Sequence, residues 1–112
     1  MADDCIFCKI VAGDIQAARV YEDDNTIAFV DLNPQAPTHL LVIPKEHIAD
    51  LPALSENPQV SAAFLAGIRA VAEQEDLHAF RTVLNTGAEV GQSVFHVHAH
   101  VLAGRPMGWP PG

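Results

Sequence analysis

Three histidines alternate with apolar residues in His96-Val97-His98-Ala99-His100, a fourth, His39, opens an apolar run, and Cys5 and Cys8 stand three positions apart near the start. Side chains in an extended strand alternate between faces, so His96, His98 and His100 project to one side at a spacing of ~6.6 to 7 Å, while Val97, Ala99 and Val101 turn to the core. A lone strand histidine is ordinarily a solvated surface residue, but half of the chain's six histidines gathered in five positions form a cluster that calls for a chemical explanation. Imidazole is a metal ligand, and an H-x-H pair with a third histidine can build a catalytic zinc site. It is also a nucleophile and a proton carrier near neutral pH. The surroundings favour the second use. Phe95 precedes the run and Val101-Leu102 follow it with no acidic ligand nearby, while Gly87 to Ser93 offers glycines and N–H groups that can approach a phosphate closely. The C-x-x-C pair, with no further cysteine to bridge, suits a metal pair or a redox pair before a structural disulfide.

These residues need a sheet to hold them. Cys5 to Val11 reads as a short helix stopped at Gly13, and Arg19 to Glu22 and Thr26 to Asp31 as a hairpin around Asp23-Asp24-Asn25. Asn33-Pro34-Gln35-Ala36-Pro37 cannot extend a strand and predicts an ordered loop beside His39, which opens a buried strand to Pro44. A helical stretch near His47 to Leu54 precedes the strongest periodic signal. There Val60, Phe64, Ile68 and Val71, with Ala63, Gly67 and Ala72, recur at helical spacing after Pro58. Arg81 to Thr86 and Val94 to Leu102 complete five strands, and the tail from Gly104 is irregular. Short connections favour an α+β domain, a five-stranded antiparallel sheet with helices packed on one side.

The chain is 112 residues, enough for one domain spanning 1–112, and 49% hydrophobic with 18% charged residues is a globular composition. Six Lys and Arg against fourteen Asp and Glu give a net charge of -8, which repels a nucleic-acid polymer but not a single nucleotide held by local chemistry. No apolar run approaches the ~20 residues of a membrane span and the start lacks signal-peptide features, so a cytoplasmic location without membrane partners is the expectation.

His96-Val97-His98-Ala99-His100-Val101-Leu102 is similar to the signature of the histidine triad family, three histidines alternating with apolar residues. The segments Ala36 to Lys45 (A-P-T-H-L-L-V-I-P-K), Asn85-Thr86-Gly87, Gly91-Gln92-Ser93-Val94 and the tail Arg105 to Gly112, ending Trp109-Pro110-Pro111-Gly112, resemble its Hint branch. The resemblance covers essentially the whole chain. It implies a hydrolase that cleaves the P–N bond of a purine nucleoside phosphoramidate through a covalent nucleoside phosphoryl-histidine, with no cofactor for catalysis.

Carried onto this chain, the resemblance makes His98 the nucleophile. His39 and His100 steer its tautomer and contact phosphoryl oxygens, with His96 in the catalytic set as first histidine of the triad. Ser93 donates to the leaving atom. Asn85, Gly91 and Gln92 hold the phosphate region, Asp31 accepts the ribose hydroxyls, and Ile27, Phe29 and Leu32 are candidates for the base clamp. Trp109, in the tail, reaches the site of a partner subunit in a homodimer whose sheets join edge to edge. A structural zinc held by Cys5, Cys8, His47 and His96 is implied too, because some bacterial members that begin with Cys-x-x-Cys hold such an ion, and Pro44-Lys45-Glu46-His47 fits their pattern. Two departures are Ala99, expected to reshape the pocket floor, and Gly108, in a tail that resembles a specificity element.

Other classes compete. A dinucleoside polyphosphate hydrolase or a nucleotidyl transferase would use the same triad, though related branches usually have Gln near the place of Ser93. A nucleotide-binding adaptor would not need His98. A zinc-dependent hydrolase would lose activity on chelation.

Overall fold

The computed structural model describes residues 4–112. Its elements are helix α1 (Ile6–Ala12), strands β1 (Arg19–Glu22), β2 (Thr26–Val30) and β3 (Thr38–Pro44), helices α2 (Leu51–Ser55) and α3 (Pro58–Gln74), strand β4 (Arg81–Val83), a 3-10 turn at Ala88–Val90, and strand β5 (Ala99–Ala103). The five strands form one antiparallel sheet in the order β1-β2-β3-β5-β4.

Register decides which residues meet. Ile27 faces Ile43 and Phe29 faces Leu41 across the β2–β3 ladder, while Ala28 pairs with Val42 between them. Because side chains alternate, Ile27, Phe29, Leu41 and Ile43 share one face, and Phe7 and Ile10 of α1 pack on it. The opposite face carries Ala28, Leu40, Val42, Ala99 and Val101, which pack with Phe64, Ile68 and Val71 of α3 and with Val97. Helices therefore cover both faces, correcting the expectation of a one-sided arrangement. β2 and β3 are apolar on successive residues, and such strands need cover on both sides.

The helix ends follow local chemistry. Asn57 caps α3 by accepting from the Val60 N–H at 3.1 Å, with Pro58 in the first turn. Asp50 caps α2 by accepting from the Ala53 N–H at 3.0 Å. α1 ends at Gly13, whose φ of +85° suits a residue without Cβ. α3 comes against β2 at a glycine for a steric reason: a Cβ on Gly67 would stand 2.6 Å from Thr26 Cγ2.

Several bounds differ from the sequence reading. The last strand begins at Ala99 instead of Val94, because residues 94–96 form a bend and the ladder with β3 starts only at Ala99. β4 stops at Val83, since Leu84 to Gly87 turn away toward the 3-10 segment, and α2 begins only at Leu51 because the Asp50 cap sets its start.

Candidate functional site

His100 pairs with Leu41 in the β3–β5 ladder, and that places its ring on the face that carries α1. His98, two residues earlier, keeps to the same side, with its ring centroid 5.3 Å from that of His100 and 5.1 Å from that of Phe7. Both histidines line a cavity of about 450 Å3 between α1, the start of the β2–β3 loop and the turn before the triad. Phe29, Asp31, Leu32, Asn85, Gly91 and Ser93 line it as well. Its lining is mostly apolar, with two imidazoles, the Ser93 hydroxyl, the Asn85 amide and the Asp31 carboxylate among its polar groups. It can take a flat apolar ring together with an anion.

The proton positions are set by backbone groups. His98 Nδ1 lies 2.8 Å from the carbonyl oxygen of His96, an acceptor only, so Nδ1 carries the proton and Nε2 keeps its lone pair. His39, buried, stands behind His100, with Nε2 2.9 Å from His100 Nδ1. The Gln35 N–H donates to His39 Nδ1 at 3.0 Å. Asp31 Oδ2 lies 3.4 Å from His39 Nε2 and 3.8 Å from His100 Nδ1. Burial above all, and then His98 and His39, push the His100 imidazole below its ordinary range, with Asp31 opposing them. Asp31, His39 and His100 could also be read as metal ligands. The 2.9 Å between the two nitrogens is a hydrogen-bond length, however, whereas two nitrogens on one tetrahedral zinc stand ~3.3 Å apart.

His96 belongs to a second cluster. Cys5 and Cys8 Sγ and one nitrogen each of His47 and His96 lie within 4.8 Å of one another. Cys5 Sγ and Cys8 Sγ are each 3.5 Å from His96 Nδ1, and Cys8 Sγ is 3.2 Å from His47 Nδ1. Ligands around a tetrahedral zinc stand ~3.3 to 3.8 Å apart, so this closed set of two sulfurs and two nitrogens fits a structural zinc. His96 Nε2 donates to the Pro44 carbonyl at 2.8 Å, which leaves Nδ1 bare toward the sulfurs, as an outer hydrogen bond on a metal-binding histidine does. Burial first of all holds the His96 imidazole below its ordinary range, favouring the neutral form that binds metal. Burial and then Cys5 push the Cys8 thiol up to about 11, so a cation bound there displaces its proton. With both nitrogens engaged, His96 sits in the metal cluster and not against the cavity, though it was read into both sets.

Three other residues stand away from the cavity. Ile27 is fully buried between α1 and the sheet, as its register opposite Ile43 requires. Gln92 is buried as a strut: its amide donates to the carbonyls of Ala49 at 2.8 Å and Val94 at 3.2 Å, and its oxygen accepts from the Gly87 N–H at 2.9 Å. Trp109 is 83% exposed and is not among the lining residues. The N–H groups of Gly91 and Gln92, expected to be free for a phosphate, donate to Ala88 and Gly87 inside the 3-10 turn; among the described residues the Ser93 N–H makes no such bond. Ala99 faces α3 and has no part in the cavity floor.

The sequence reading missed the helical wall. Ile6, Phe7 and Ile10 of α1, with Ile15 after it, line the cavity. Their signal was a seven-residue helix with more apolar positions than one buried stripe needs; Ile6 and Ile15 remain exposed where the cavity opens.

An antiparallel sheet covered on both faces, with His98 and His100 lining an open cavity, defines the class of fold and site. Residues 12–107 match the HIT domain, and the chain belongs to that family. It is similar to a HIT family hydrolase from Legionella pneumophila, at 45% identity and a TM-score of 0.90 over 97% of this chain and 100% of that one. It is also similar to a histidine triad nucleotide-binding protein from Candida albicans, at 29% identity and a TM-score of 0.82 over 97% and 85%. A 14 kDa zinc-binding protein of Zea mays is 44% identical over 96% of this chain and 87% of its own length.

Proposed function

We propose that the protein hydrolyses purine nucleoside phosphoramidates through a covalent nucleoside phosphoryl-histidine on His98. One observation carries this reading: the 2.8 Å hydrogen bond from His98 Nδ1 to the His96 carbonyl, which leaves Nε2 as the unprotonated nitrogen of a ring that lines the cavity. The relatives described as a hydrolase and as nucleotide-binding support the same class.

In the first step His98 Nε2 bonds to phosphorus while the P–N bond to the amine breaks, and the departing nitrogen takes a proton relayed by Ser93 and His100. In the second, water attacks phosphorus, the bond to His98 breaks, and nucleoside monophosphate leaves with the relay restored. Asn85 and the Ser93 N–H face the phosphate, where each well-placed donor is worth ~2.7 to 4 kcal/mol in comparable sites. Phe7, Ile10, Phe29 and Leu32 clasp the base, and Asp31 accepts the ribose hydroxyls. Leu32 is 99% exposed and makes its contribution only against a bound base.

The working unit in this reading is a cytoplasmic homodimer. β4 is an edge strand, and Phe80 beside it and Leu65 on α3 are exposed apolar side chains that a second copy would cover. Trp109 then acts in the partner's site. Zinc in this scheme is structural and takes no part in the reaction.

The test is turnover of adenosine and guanosine phosphoramidates by the parent and by His98→Ala, with mass spectrometry of acid-avoided digests for the phosphoryl-enzyme. Loss of turnover with nucleoside monophosphate binding retained is expected. A His98→Ala protein that keeps more than a few per cent of the parent rate, or an adduct on another histidine, would defeat the assignment.

A further inference from the structure

Building on the reading of His39 and His100 as partners in phosphoryl transfer, we propose that Arg105 is a positioning residue that acts through Gln35 to set which nitrogen of His39 and of His100 carries the proton. The loop between β2 and β3 is closed at its base by the Asp31 N–H, which donates to the His39 carbonyl at 3.0 Å. Inside it the Asn33 N–H donates to Asp31 Oδ1 at 2.8 Å, the Gln35 side-chain amide donates to the Asn33 carbonyl at 3.0 Å, and Pro34 and Pro37 stiffen the backbone. This loop delivers one backbone donor to the histidines, the Gln35 N–H.

A backbone N–H can only donate. His39 Nδ1, 3.0 Å away, must therefore offer its lone pair, and the proton of His39 resides on Nε2. That N–H meets His100 Nδ1 at 2.9 Å, so His100 accepts there and keeps its own proton on Nε2. The Gln35 N–H thus orders two imidazoles in series, in the same sense as Asp31 Oδ2 at 3.4 Å from His39 Nε2, and makes His100 a donor at its outer nitrogen.

Arg105 holds the next peptide group along, which is joined to the donating one through the Gln35 Cα and so restrains its orientation at one remove. Its Nε and Nη2 both donate to the Gln35 carbonyl, at 3.1 and 3.0 Å, and its Nη1 donates to the Pro106 carbonyl at 2.9 Å. The neighbouring Gly104, at φ +98°, is pressed on Pro37; a Cβ there would fall 2.8 Å from Pro37 Cβ. A planar fork on one carbonyl fixes an orientation that a lysine ammonium, with its free rotation, does not. Arg105 does not line the cavity that holds His98 and His100, so its action on the reaction passes through the loop.

Histidine tautomers can be read directly by two-bond 1H–15N correlation on 15N-histidine protein at pH 8, above the usual imidazole range of ~6.5. The unsubstituted protein is expected to show His39 and His100 both protonated on Nε2. In Arg105→Met, with the fold checked by circular dichroism, His39 is expected to become a mixture of tautomers. The variant's kcat for a nucleoside phosphoramidate should fall about three- to tenfold, with KM changed less than twofold. Arg105→Lys should recover less than half of that loss. An Nδ1–H tautomer on His39 in the parent protein, or an unchanged tautomer in Arg105→Met, overturns the proposal. The tautomers are measured without substrate. If they are as stated and phosphoramidate is not turned over, the positioning role stands and the substrate assignment fails.

Discussion

The carbonyl of His96 accepts the Nδ1 proton of His98 at 2.8 Å, and the ring of the same His96 faces Cys5 and Cys8 at 3.5 Å. One residue thus joins the metal cluster to the proposed nucleophile, by its side chain on one side and its backbone on the other. The first consequence concerns which nitrogen reacts. A phosphoryl-enzyme trapped with substrate should carry phosphorus on Nε2 of His98, and 31P–15N coupling in labelled protein would show it. Phosphorus on Nδ1 would mean that the His96 hydrogen bond does not govern attack.

Metal removal should cost stability more than turnover. The zinc ligands tie α1 to the segment before β5, whereas the His98 hydrogen bond is made by a backbone carbonyl that remains when the sulfurs are changed. Cys8→Ser should bind far less than one zinc per chain and lose ~2 kcal/mol or more of stability, the scale of losing a designed ligand set. Its kcat should stay within a few-fold of the parent. Metal analysis, calorimetry and single-substrate kinetics check the three parts.

Acid should weaken the fold through His100. Its imidazole is held below the ordinary range of ~6.5, so between that value and the folded one the unfolded chain binds the proton first. The contribution is present in full above about 6.5 and is lost as pH falls through the folded value. His100→Gln should therefore flatten the fall of Tm with pH below about 6.5. Equal slopes in the two proteins would rule this out.

The contact of α3 with β2 offers a purely structural test. Thr26 Oγ1 is buried and has no hydrogen-bond partner among the described residues, and an unsatisfied buried hydroxyl costs ~1 to 3 kcal/mol. Thr26→Val keeps the shape and should raise stability by about 1 kcal/mol in urea unfolding. Gly67→Ala forces a methyl to 2.6 Å from Thr26 Cγ2 and should lower stability by ~1 to 3 kcal/mol.

Much of this protein follows from sequence because its signals are local. The alternation of His96, His98 and His100 with Val97, Ala99 and Val101 sorts the side chains even though regular strand begins only at Ala99: Val97 packs in the α3-side core while His96 and His98 meet Phe7 of α1. The period of Val60, Phe64, Ile68 and Val71 places α3, and the Cys5, Cys8 spacing marks a metal or redox pair, to which only the family resemblance added His47 and His96. Register, loop closure and the second helical layer are different in kind, because each depends on residues far apart in the chain. Only the folded structure separates His96 from the cavity, turns Gln92 into a strut and Ile27 into core, and raises Phe7 and Ile10 as a wall. Arg105 and Gln35, 70 residues apart, meet because the tail leaves β5 beside the loop that enters β3. No periodicity or spacing records such a meeting, since its cause is the antiparallel pairing of two strands brought together by their buried faces.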